Sequence, residues 1–578
     1  MSRRRWRLTE TDENAVTALR RTADIPEVLA RLLAARGVAP ECALDYLSPT
    51  LKQFLPEPLT LKDMDRAVAR TLRAIKVGER IAVFGDYDVD GSTSAALLHG
   101  YFSSAGAVPQ IYIPDRMSEG YGPNAPALLK LQAAGVSLVI TVDCGAGATA
   151  ALSVARDAGL DVIVLDHHAV ETAPPAVAHV NPNQPEDTSG LGQLSAAGVA
   201  FLFVVALNRA LRDAGRFAGS KTAEPDLLGL LDLVALATIC DVVPLVGVNR
   251  AFVRAGLARL SRLERPGIAA LAAVADARPP FTPYHLGFLL GPRINAGGRV
   301  GRSSLGVELL TSTASAPARE LAIALDTHNR ERQTIEKIVL EEANAMAEMQ
   351  ANSPFLFVAS EGWHPGVVGI VAGRLKERFG KPAFVAGFEG GLGRGSARSI
   401  PGIDIGVAVR EARARNAIEA GGGHAMAAGF SLRADQIDGF RAFLADAFSD
   451  AGAALEAAVE LEVNAVVSPA GATVALVNQI AQAGPFGAGN PEPLVALPDQ
   501  KVTFADVVGK SHVRLRLSGG DGVTLDGIAF RAVGTPLGTG LLAARGRKIH
   551  AVGRLRADEW NGRKRVQLQL EDAALVTG

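Results

Sequence analysis

Short apolar runs alternate with helical patterns between residues 80 and 170, and this alternation restricts the fold more than any other feature of the sequence. Helical patterns such as 92–102 and 148–158 separate the runs. The strand-like runs are 81–84, 110–113, 137–142 and 161–165. Strands that are apolar throughout and are joined by helices form a parallel sheet covered on both faces. The sequence therefore predicts an α/β fold built on a parallel sheet.

Acidic residues and histidines follow these strands. Asp86 comes after the first run, Asp143 after the third, and the triplet Asp-His-His at 166–168 after the fourth. Asp241, within Thr-Ile-Cys-Asp, falls at a similar junction. Ligands of such sheets gather at the carboxyl ends of the strands, so we expect these side chains to approach one another.

This set of side chains indicates a metal centre. Carboxylate oxygens with one or two imidazoles suit Mn²⁺ or Mg²⁺ better than a metal that prefers thiolates. So many acids in one place repel one another unless cations neutralise them, and a pair of ions about 3.5–4 Å apart would do so. Such a pair generates hydroxide near neutral pH and stabilises displacement at phosphorus. The candidate ligands are Asp86, Asp88, Asp90, Asp143, His167 and Asp241, with His168 able to orient a phosphate or assist the leaving oxygen.

The run Asp-x-Asp-x-Asp-Gly at 86–91 has other interpretations when it is taken alone. It can be a calcium loop or a polar turn. The EF-hand form is excluded, because position 97 is Leu where that loop needs a bidentate glutamate. The metal hypothesis depends on all four acidic sites together.

Length and composition set the broad class. At about 150 residues per domain, 578 residues predict about four domains. The longest apolar stretch, 196–207, is too short for a membrane span of about 20 residues. The basic N-terminus has no apolar region behind it, and the three cysteines are scattered, which favours a reducing compartment. We therefore expect a cytoplasmic protein with no membrane association.

The remainder of the chain suggests further parts. Residues 171–198 are rich in Pro, Gly and polar residues and are predicted to form a loop. Residues 318–353 contain no Gly or Pro and predict a helical connector. A second α/β lobe follows, with a predicted glycine-rich loop at 393–399. Strand patterns dominate after 456 and predict a small β-barrel.

The acidic motifs resemble those of the DHH phosphoesterase superfamily, and the chain as a whole is similar to the RecJ family of bacterial single-strand-specific exonucleases. Pyrophosphatases and short-oligonucleotide phosphatases of the superfamily typically place His ahead of the Asp-x-Asp pair, where this chain has Asp86. The matching stretches are 84–91, 142–145, 165–168, 238–245, 291–299, 363–369, the glycine-rich motif at His424, and 485–491.

The resemblance implies a two-lobed DHH core followed by an OB-fold β-barrel. A parallel-sheet lobe and a DHH-associated α/β lobe would be joined by a long helix. The expected domains are an N-terminal helical segment at 1–55, the DHH domain at 56–315, the connecting helix at 316–353, the DHH-associated domain at 354–454 and the OB-fold domain at 455–578.

The resemblance also implies an activity, which is 5′-to-3′ degradation of single-stranded DNA to nucleoside 5′-monophosphates in recombination and repair. Two Mn²⁺ or Mg²⁺ ions would be held by Asp88, Asp90, Asp143, His167 and Asp241. Catalytic roles fall to His168, Asp86 and Asp143. Implied partners are single-stranded DNA, single-strand-binding protein and a RecQ-type helicase, and the chain is expected to be a monomer.

An exonuclease must recognise a strand end. A guanidinium binds phosphate in a bidentate way, so Ser396 and Arg398 are expected to form a phosphate pocket, with Arg116 facing them from the other lobe. Contacts to the DNA backbone are expected from Arg293, Asn295, Arg299 and His424.

The barrel is basic, with 13 Lys and Arg against 7 Asp and Glu over 501–578, although the whole chain has a net charge of −1. It has few aromatic residues, so we expect it to contact the DNA backbone more than the bases. The expected contacts are Arg554, Arg556, Trp560, Arg563, Lys564 and Arg565.

Two other functions stay open from the sequence. A short-oligonucleotide or nucleotide phosphatase of the same superfamily would not need the basic barrel, and deletion beyond about 455 would leave its activity intact. A non-catalytic DNA-binding scaffold would bind single strands yet release no nucleotide with Mn²⁺.

Overall fold

The computed structural model describes residues 1, 4–116, 118–218, 223–457, 460–560 and 563–576. The chain forms two compact units. The larger unit consists of Thr50–Gly452 and Gly487–Gly489. The smaller unit consists of Met1–Pro49, Ala453–Phe486 and Asn490–Gly578. Within the described residues, no helix has both the length and the apolar composition needed to cross a membrane.

The first sheet of the larger unit has five strands, all parallel. Gly85 pairs with Val142, and Val142 pairs with Leu165, so the carboxyl ends of the three central strands are level. In spatial order the strands are Gln110–Tyr112, Arg80–Gly85, Val136–Val142, Asp161–Leu165 and Ala178–Val180. The predicted parallel α/β sheet is confirmed.

The last strand in this order, Ala178–Val180, corrects one prediction. Residues 171–198 were expected to form only a loop, yet Ala178–Val180 pairs with residues 163–165. The strand has three residues and all three are buried. So short a run, set among prolines and polar residues, has no periodicity that sequence reasoning could detect.

Helices cover both faces of the first sheet and complete the lobe. Val89–Ser104 and Ala196–Asp213 are buried along most of their length inside the lobe. Their companions are Leu51–Phe54, Met64–Val77, Ala125–Ala133, Thr149–Asp157, Leu231–Cys240, Val248–Leu260, Pro266–Val274, Gly291–Val300 and Leu305–Thr311. A π-helical turn, His285–Leu290, runs directly into Gly291–Val300.

A single helix, Ser315–Glu348, joins this lobe to the next. Its 34 residues span about 50 Å. Buried side chains occur along its whole length, from Ala318 to Ala347. The predicted long connecting helix is present.

The second sheet of the larger unit is mixed. Leu356–Glu361 pairs in parallel with Ala383–Glu389, and the other pairings are antiparallel. In spatial order the strands are Ala420–His424, Ala427–Arg433, Leu392–Arg398, Ala383–Glu389 and Leu356–Glu361. The accompanying helices are Pro365–Phe379, Ile405–Ala414 and Ile437–Ala447.

The glycine-rich segment 393–399 was predicted to be a loop, and this was wrong, because Leu392–Arg398 is a strand. Its glycines lie beneath aromatic rings. A Cβ on Gly393 would come within 2.6 Å of the Phe388 ring, and one on Gly395 within 2.2 Å of the Phe430 ring. These glycines are required by close packing inside a sheet rather than by a turn.

The smaller unit contains a closed five-stranded barrel. Closure comes from antiparallel pairing of Val495–Val508 with Lys548–Trp560. In order around the barrel the strands are Val495–Val508, His512–Ser518, Thr524–Ala529, Arg563–Leu575 and Lys548–Trp560. The predicted OB-fold barrel is therefore confirmed.

Further elements surround the barrel. Strand Arg5–Leu8 pairs in parallel with Glu460–Val463, and the short strand Ala465–Val466 pairs with residues 495–496. The helices of this part of the chain are Glu13–Ala23, Glu27–Ala35, Ala43–Leu47, Gly452–Ala457, Val474–Gln482 and Pro536–Ala543. The exact domain limits expected from the sequence stay predictions.

Candidate metal centre

Asp86, Asp143 and Asp166 each follow directly after a central strand of the first sheet. Asp241 does not, because it ends helix Leu231–Cys240. The run before Asp241 is apolar throughout, and such a run is compatible with a strand or with a buried helix. The four acidic sites nevertheless converge, as predicted.

The imidazole of His167 lies at the centre of the cluster. Its Nε2 is 3.4 Å from Asp143 Oδ1, 3.5 Å from Asp241 Oδ2 and 3.8 Å from Asp90 Oδ2. Its Nδ1 is 3.0 Å from the carbonyl oxygen of Leu194. A carbonyl only accepts, so Nδ1 carries the proton and Nε2 presents a lone pair to the carboxylates. Among the described residues this buried Nε2 has no hydrogen-bond partner.

Three overlapping groups of side chains could each hold an ion. Within each group the ligand atoms lie within 4.8 Å of one another. The groups are Asp90, His167 and Asp241; Asp86, Asp88 and Asp143; and Asp143, His167 and His168. The first two share no residue, which fits a centre for two ions.

The raised pKa values of the carboxyl groups also favour bound cations. Burial is the main cause that raises the pKa of Asp90 to about 7 and of Asp241 to about 9, and nearby carboxylates add to it. The same causes hold the pKa of Asp86 and of Asp143 well above the ordinary value. Divalent cations would offset this repulsion and satisfy the orphan Nε2. The oxygen-rich donor set with one imidazole suits Mn²⁺ or Mg²⁺.

Asp143 has a strained backbone. Its φ of 60° lies in the left-handed region, which non-glycine residues rarely adopt. Its N–H donates to Leu165 O at 3.1 Å, and its carbonyl accepts from the Tyr121 hydroxyl at 3.0 Å. Such strain clusters at functional sites, where surrounding contacts hold it in place.

Asp166 holds the two histidines and belongs to none of the three groups that could hold an ion. Its carboxylate accepts from the backbone N–H of His167, His168 and Ala146, and from His168 Nδ1 at 2.7 Å. Burial raises its pKa, but the hydrogen bond and charge of His168 outweigh burial, so the pKa lies below the ordinary value. The pKa of His168 is shifted in the opposite direction. Burial lowers it, but Asp166 outweighs burial and raises it to about 9. His168 therefore holds a proton at neutral pH, and its ring stacks on that of His424 at 5.7 Å.

The sequence did not reveal the segment that positions two of the ligands. The backbone N–H groups of Ala196 and Ala197, at the start of helix Ala196–Asp213, donate to Asp90 at 2.7 and 2.8 Å. Leu194, just ahead of them, accepts from His167. We call residues 193–197 the ligand-support segment. The sequence indicated only that a helix begins here, because Ser195 is a residue type that often caps helices.

Asn249 joins this segment to the loop that follows Asp241. Its side chain is fully buried, and its Nδ2 donates to Gln193 O at 2.6 Å and to Pro244 O at 3.0 Å. One amide thus connects the supports of Asp90, His167 and Asp241, which form one of the candidate ion sites. A single Asn in the first turn of a helix gives no sequence signal for such a role.

A cavity of about 220 Å³ opens beside the carboxylates. Arg116 lies over the ring of Tyr87 at 5.2 Å, and Arg299 donates to Gly366 O at 2.9 Å. Burial, and then the charges of Arg116, Arg332 and Arg398, lower the pKa of Arg299 to about 10. The lining residues are Asp86, Tyr87, Asp88, Arg116, Tyr121, Asp143, His168, Asp241, Asn295 and Arg299.

Ser396 and Arg398 lie on strand Leu392–Arg398 and approach the same glycine. A Cβ on Gly369 would lie 3.2 Å from Ser396 Oγ and 3.3 Å from Arg398 Nη2. Arg293 is not brought to the cavity lining. Its Nε pairs with Asp326 at 2.9 Å, so its guanidinium is engaged inside the lobe.

The predicted contacts on the barrel lie within ion-pair networks. Arg554 pairs with Glu571 at 2.7 Å, Arg556 pairs with Glu492, and Arg565 lies 3.8 Å from Asp526. Lys564 is exposed. The side chains of Trp560 and Arg563 lie outside the described part of the chain.

Three protein families match the chain. The DHH family N-terminal domain matches residues 80–238, the DHHA1 domain matches residues 352–450, and the RecJ OB domain matches residues 463–572. The first match contains most of the candidate ligands, and the second contains Ser396 and Arg398.

Known proteins resemble the chain over its full length. The single-stranded-DNA-specific exonuclease RecJ of Escherichia coli K12 is 36% identical, over 98% of this chain and 98% of that protein. RecJ of Bacillus subtilis strain 168 is also 36% identical, over 99% of this chain and 71% of that protein. The crystal structure of RecJ with Mn²⁺ from Thermus thermophilus superposes with a TM-score of 0.81 at 29% identity, covering 100% of this chain and 81% of that one. A second crystal structure from the same source contains Mg²⁺. The chain belongs to the RecJ family of single-stranded-DNA-specific exonucleases.

Proposed function

We propose that this chain hydrolyses single-stranded DNA from the 5′ end and releases nucleoside 5′-monophosphates, using two Mn²⁺ or Mg²⁺ ions. The observation that carries this proposal is the orphan Nε2 of His167, surrounded by three carboxylates, beside a cavity lined with arginines. Family membership supplies the substrate class.

Asp88, Asp90, Asp143, His167 and Asp241 would hold the ions, with Asp86 completing the oxygen donors. The lack of a partner for the buried Asp86 Oδ1 among the described residues supports its inclusion. When bound, a pair of such ions supplies hydroxide near neutral pH and offsets charge on the phosphate.

His168 would hold the reacting phosphate. Its Nδ1 is engaged by Asp166, so the proton on Nε2 is free to bind a non-bridging phosphate oxygen. In the reaction a water oxygen bonds to phosphorus, the P–O3′ bond breaks, and O3′ takes up a proton. The carboxylate of Asp166 outweighs burial and raises the pKa of His168, which favours a protonated imidazole facing the phosphate.

Arg398 and Ser396 would bind the 5′-phosphate, with Arg116 on the opposite side of the cavity. Burial, and then the charges of three nearby arginines, lower the pKa of Arg299, and such a group of guanidinium ions favours a polyanion. Asn295 and His424 would contact the strand nearer the carboxylates.

The biological setting is part of the same proposal. Activity on single strands, a cytoplasmic location, a role in recombination and repair, and contacts with single-strand-binding protein and a RecQ-type helicase rest on the family. Co-purification of this chain with either protein tests those contacts, and sedimentation tests the expected monomer.

The decisive experiment compares single strands labelled at the 5′ or the 3′ end with a duplex, in Mn²⁺ and in Mg²⁺. We expect labelled mononucleotide to appear first from the 5′-labelled single strand, and the duplex to resist. Asp143→Asn should abolish release while circular dichroism stays unchanged.

Release first from the 3′ label would reverse the polarity. Activity confined to dinucleotides would favour the phosphatase alternative. Tight strand binding without nucleotide release in Mn²⁺ would favour a non-catalytic scaffold.

A further inference from the structure

Two stacked aromatic residues, Tyr284 and Phe288, are exposed on the larger unit. Their exposed fractions are 59% and 69%, and their ring centroids lie 5.2 Å apart with planes inclined by 22°. The other exposed aromatic residues in the described part of the chain are Tyr121 at the cavity and Phe504 and Phe530 near the barrel. An exposed apolar pair of this kind indicates a contact surface.

The pair belongs to the helical stretch that lines the cavity. Phe288 lies in the π-helical turn His285–Leu290, which continues into Gly291–Val300. Asn295 and Arg299, farther along this stretch, line the cavity. Asn295 is seven and Arg299 eleven residues after Phe288, and at these spacings an α-helix returns to about the same side. A π-helical turn often marks a functional position.

The turn also packs against the residues just ahead of Asp241. Cys240 Sγ donates to Leu286 O at 3.4 Å, and a Cβ on Gly287 would lie 3.4 Å from Ile239. The aromatic pair is therefore attached to the same helix end that presents a candidate metal ligand.

The distance suits a strand that leaves the cavity. Seven residues of helix between Phe288 and Asn295 span about 10 Å. Stacked nucleotides rise about 3.4 Å each, so this distance corresponds to about three nucleotides.

The chemistry favours a nucleobase. Every base offers a π-face, and aromatic side chains bind single strands by stacking without reading sequence. The barrel region from 501 onward has only three aromatic residues, so stacking contacts must come mainly from elsewhere. We propose that Tyr284 and Phe288 form a base-stacking site for single-stranded DNA, about three nucleotides from the cleaved phosphodiester. This inference rests on the proposed function, which supplies the strand.

A length series tests the site. In EDTA, Phe288→Leu combined with Tyr284→Leu should weaken binding of a twelve-nucleotide strand about tenfold by fluorescence anisotropy. Hydrolysis of a dinucleotide, which cannot reach the pair, should keep its wild-type rate in Mn²⁺. Phe288→Trp should retain binding, because it preserves a stacking face. Leu228→Ala, at another residue that is 59% exposed, serves as the matched control and should change nothing.

A fluorescent base locates the contact. With 2-aminopurine at successive positions, quenching by the wild type should be strongest near the third or fourth nucleotide and should be lost in the double variant. Unchanged affinity, or equal losses for every strand length including the dinucleotide, would overturn the site. So would a wild-type dimer that the double variant dissociates, since the pair would then be a contact between copies. If the wild type itself degrades no single strand, the proposed function fails, while the binding measurements still decide the stacking site.

Discussion

The imidazole of His167 makes contact with side chains from three distant parts of the sequence. The sequence predicted its role from an unusual pair of histidines after a strand, and the structure brings Asp90, Asp143 and Asp241 to its Nε2. Sequence could not predict Asn249, because its role depends on two backbone carbonyls that only the folded chain brings together. Sequence motifs identify the side chains expected to perform the chemistry. They do not identify so well the side chains that hold those groups in position.

Asn249→Ala should weaken Mn²⁺ binding. Loss of both hydrogen bonds frees the loop after Asp241 from the ligand-support segment, so the group of Asp90, His167 and Asp241 should lose about tenfold in affinity. Calorimetric titration of the DNA-free protein with Mn²⁺ measures this change.

Asn208→Ala is the matched control. Asn208 is equally buried and donates to Glu224 at 2.7 Å, away from the ligands. Its removal should lower the free energy of unfolding by about 1–3 kcal/mol and leave Mn²⁺ binding unchanged. Equal Mn²⁺ affinity in wild type and Asn249→Ala would exclude the positioning role.

Arg398→Ala should reduce the preference for a 5′-phosphate. A charge-assisted hydrogen bond contributes about 1.5–3 kcal/mol, so KM for a 5′-phosphorylated strand should rise about tenfold or more. KM for a strand with a 5′-hydroxyl should change little. The matched control is Arg378→Ala, an exposed arginine paired with Glu348 in the same lobe. An unchanged ratio of the two KM values would remove Arg398 from the phosphate pocket.

At the scale of helices and strands, sequence patterns predicted the central elements and misassigned three others, which are Ala178–Val180, Leu231–Cys240 and Leu392–Arg398. The central strands of the first sheet were predicted from their apolar runs, and helix Ser315–Glu348 was predicted from a long stretch without Gly or Pro. Strand Leu392–Arg398 was missed because its glycines suggest a turn, whereas they make room for neighbouring rings. Asp241 was predicted to follow a strand, which was wrong because a helix precedes it, and the largely apolar run there carries no periodicity that separates the two.

Within the barrel, a half-buried glutamate should make stability depend on acid pH. Glu571 accepts from Arg554 Nη1 at 2.7 Å and from Arg4 Nη1 at 3.1 Å. Burial raises the pKa of Glu571, but these hydrogen bonds and charges lower it by a larger amount. The pKa therefore lies below the ordinary value of 4.5. Glu571 therefore stays ionised to lower pH in the folded state than in the unfolded state. Its contribution to the free energy of unfolding is lost as the pH falls below about 4.5.

Glu571→Gln measures that contribution. At pH 7 the variant should be about 1 kcal/mol less stable in urea unfolding, and the difference should shrink as the pH is lowered toward 3. Glu377→Gln, at an exposed glutamate paired with Arg374, should show no such dependence. A difference from wild type that stays constant between pH 7 and 3 would argue against the ionised Glu571 as its cause.

At the scale of the whole molecule, charge is distributed unevenly although its sum is near zero. Residues 501–578 carry an excess of six positive charges, while the complete chain has a net charge of −1. The sequence predicted this asymmetry, but not that Arg554, Arg556 and Arg565 are partly neutralised by acidic neighbours. Such pairing depends on which strands become neighbours in the closed barrel.

Salt dependence should identify residues that contact phosphates. For single strands the logarithm of affinity falls with the logarithm of salt concentration by about 0.7 per phosphate contact. Lys564→Ala should reduce the slope by about this amount, measured by anisotropy in EDTA. Lys337→Ala, exposed on the connecting helix, should leave the slope unchanged. Identical slopes for wild type and Lys564→Ala would remove this lysine from the DNA contacts.

The candidate ligands lie between residues 86 and 241, and Asn249, whose side-chain amide connects their supports, follows them. During synthesis the chain emerges from its N-terminus, so the first sheet can assemble before the last ligand has left the ribosome. A growing chain that ends before residue 241 thus lacks the candidate ion site formed by Asp90, His167 and Asp241. Ser396 and Arg398, which are expected to bind the strand end, emerge later still. Hydrolysis at a bound strand end would then require both lobes, and an interrupted chain is expected to lack it.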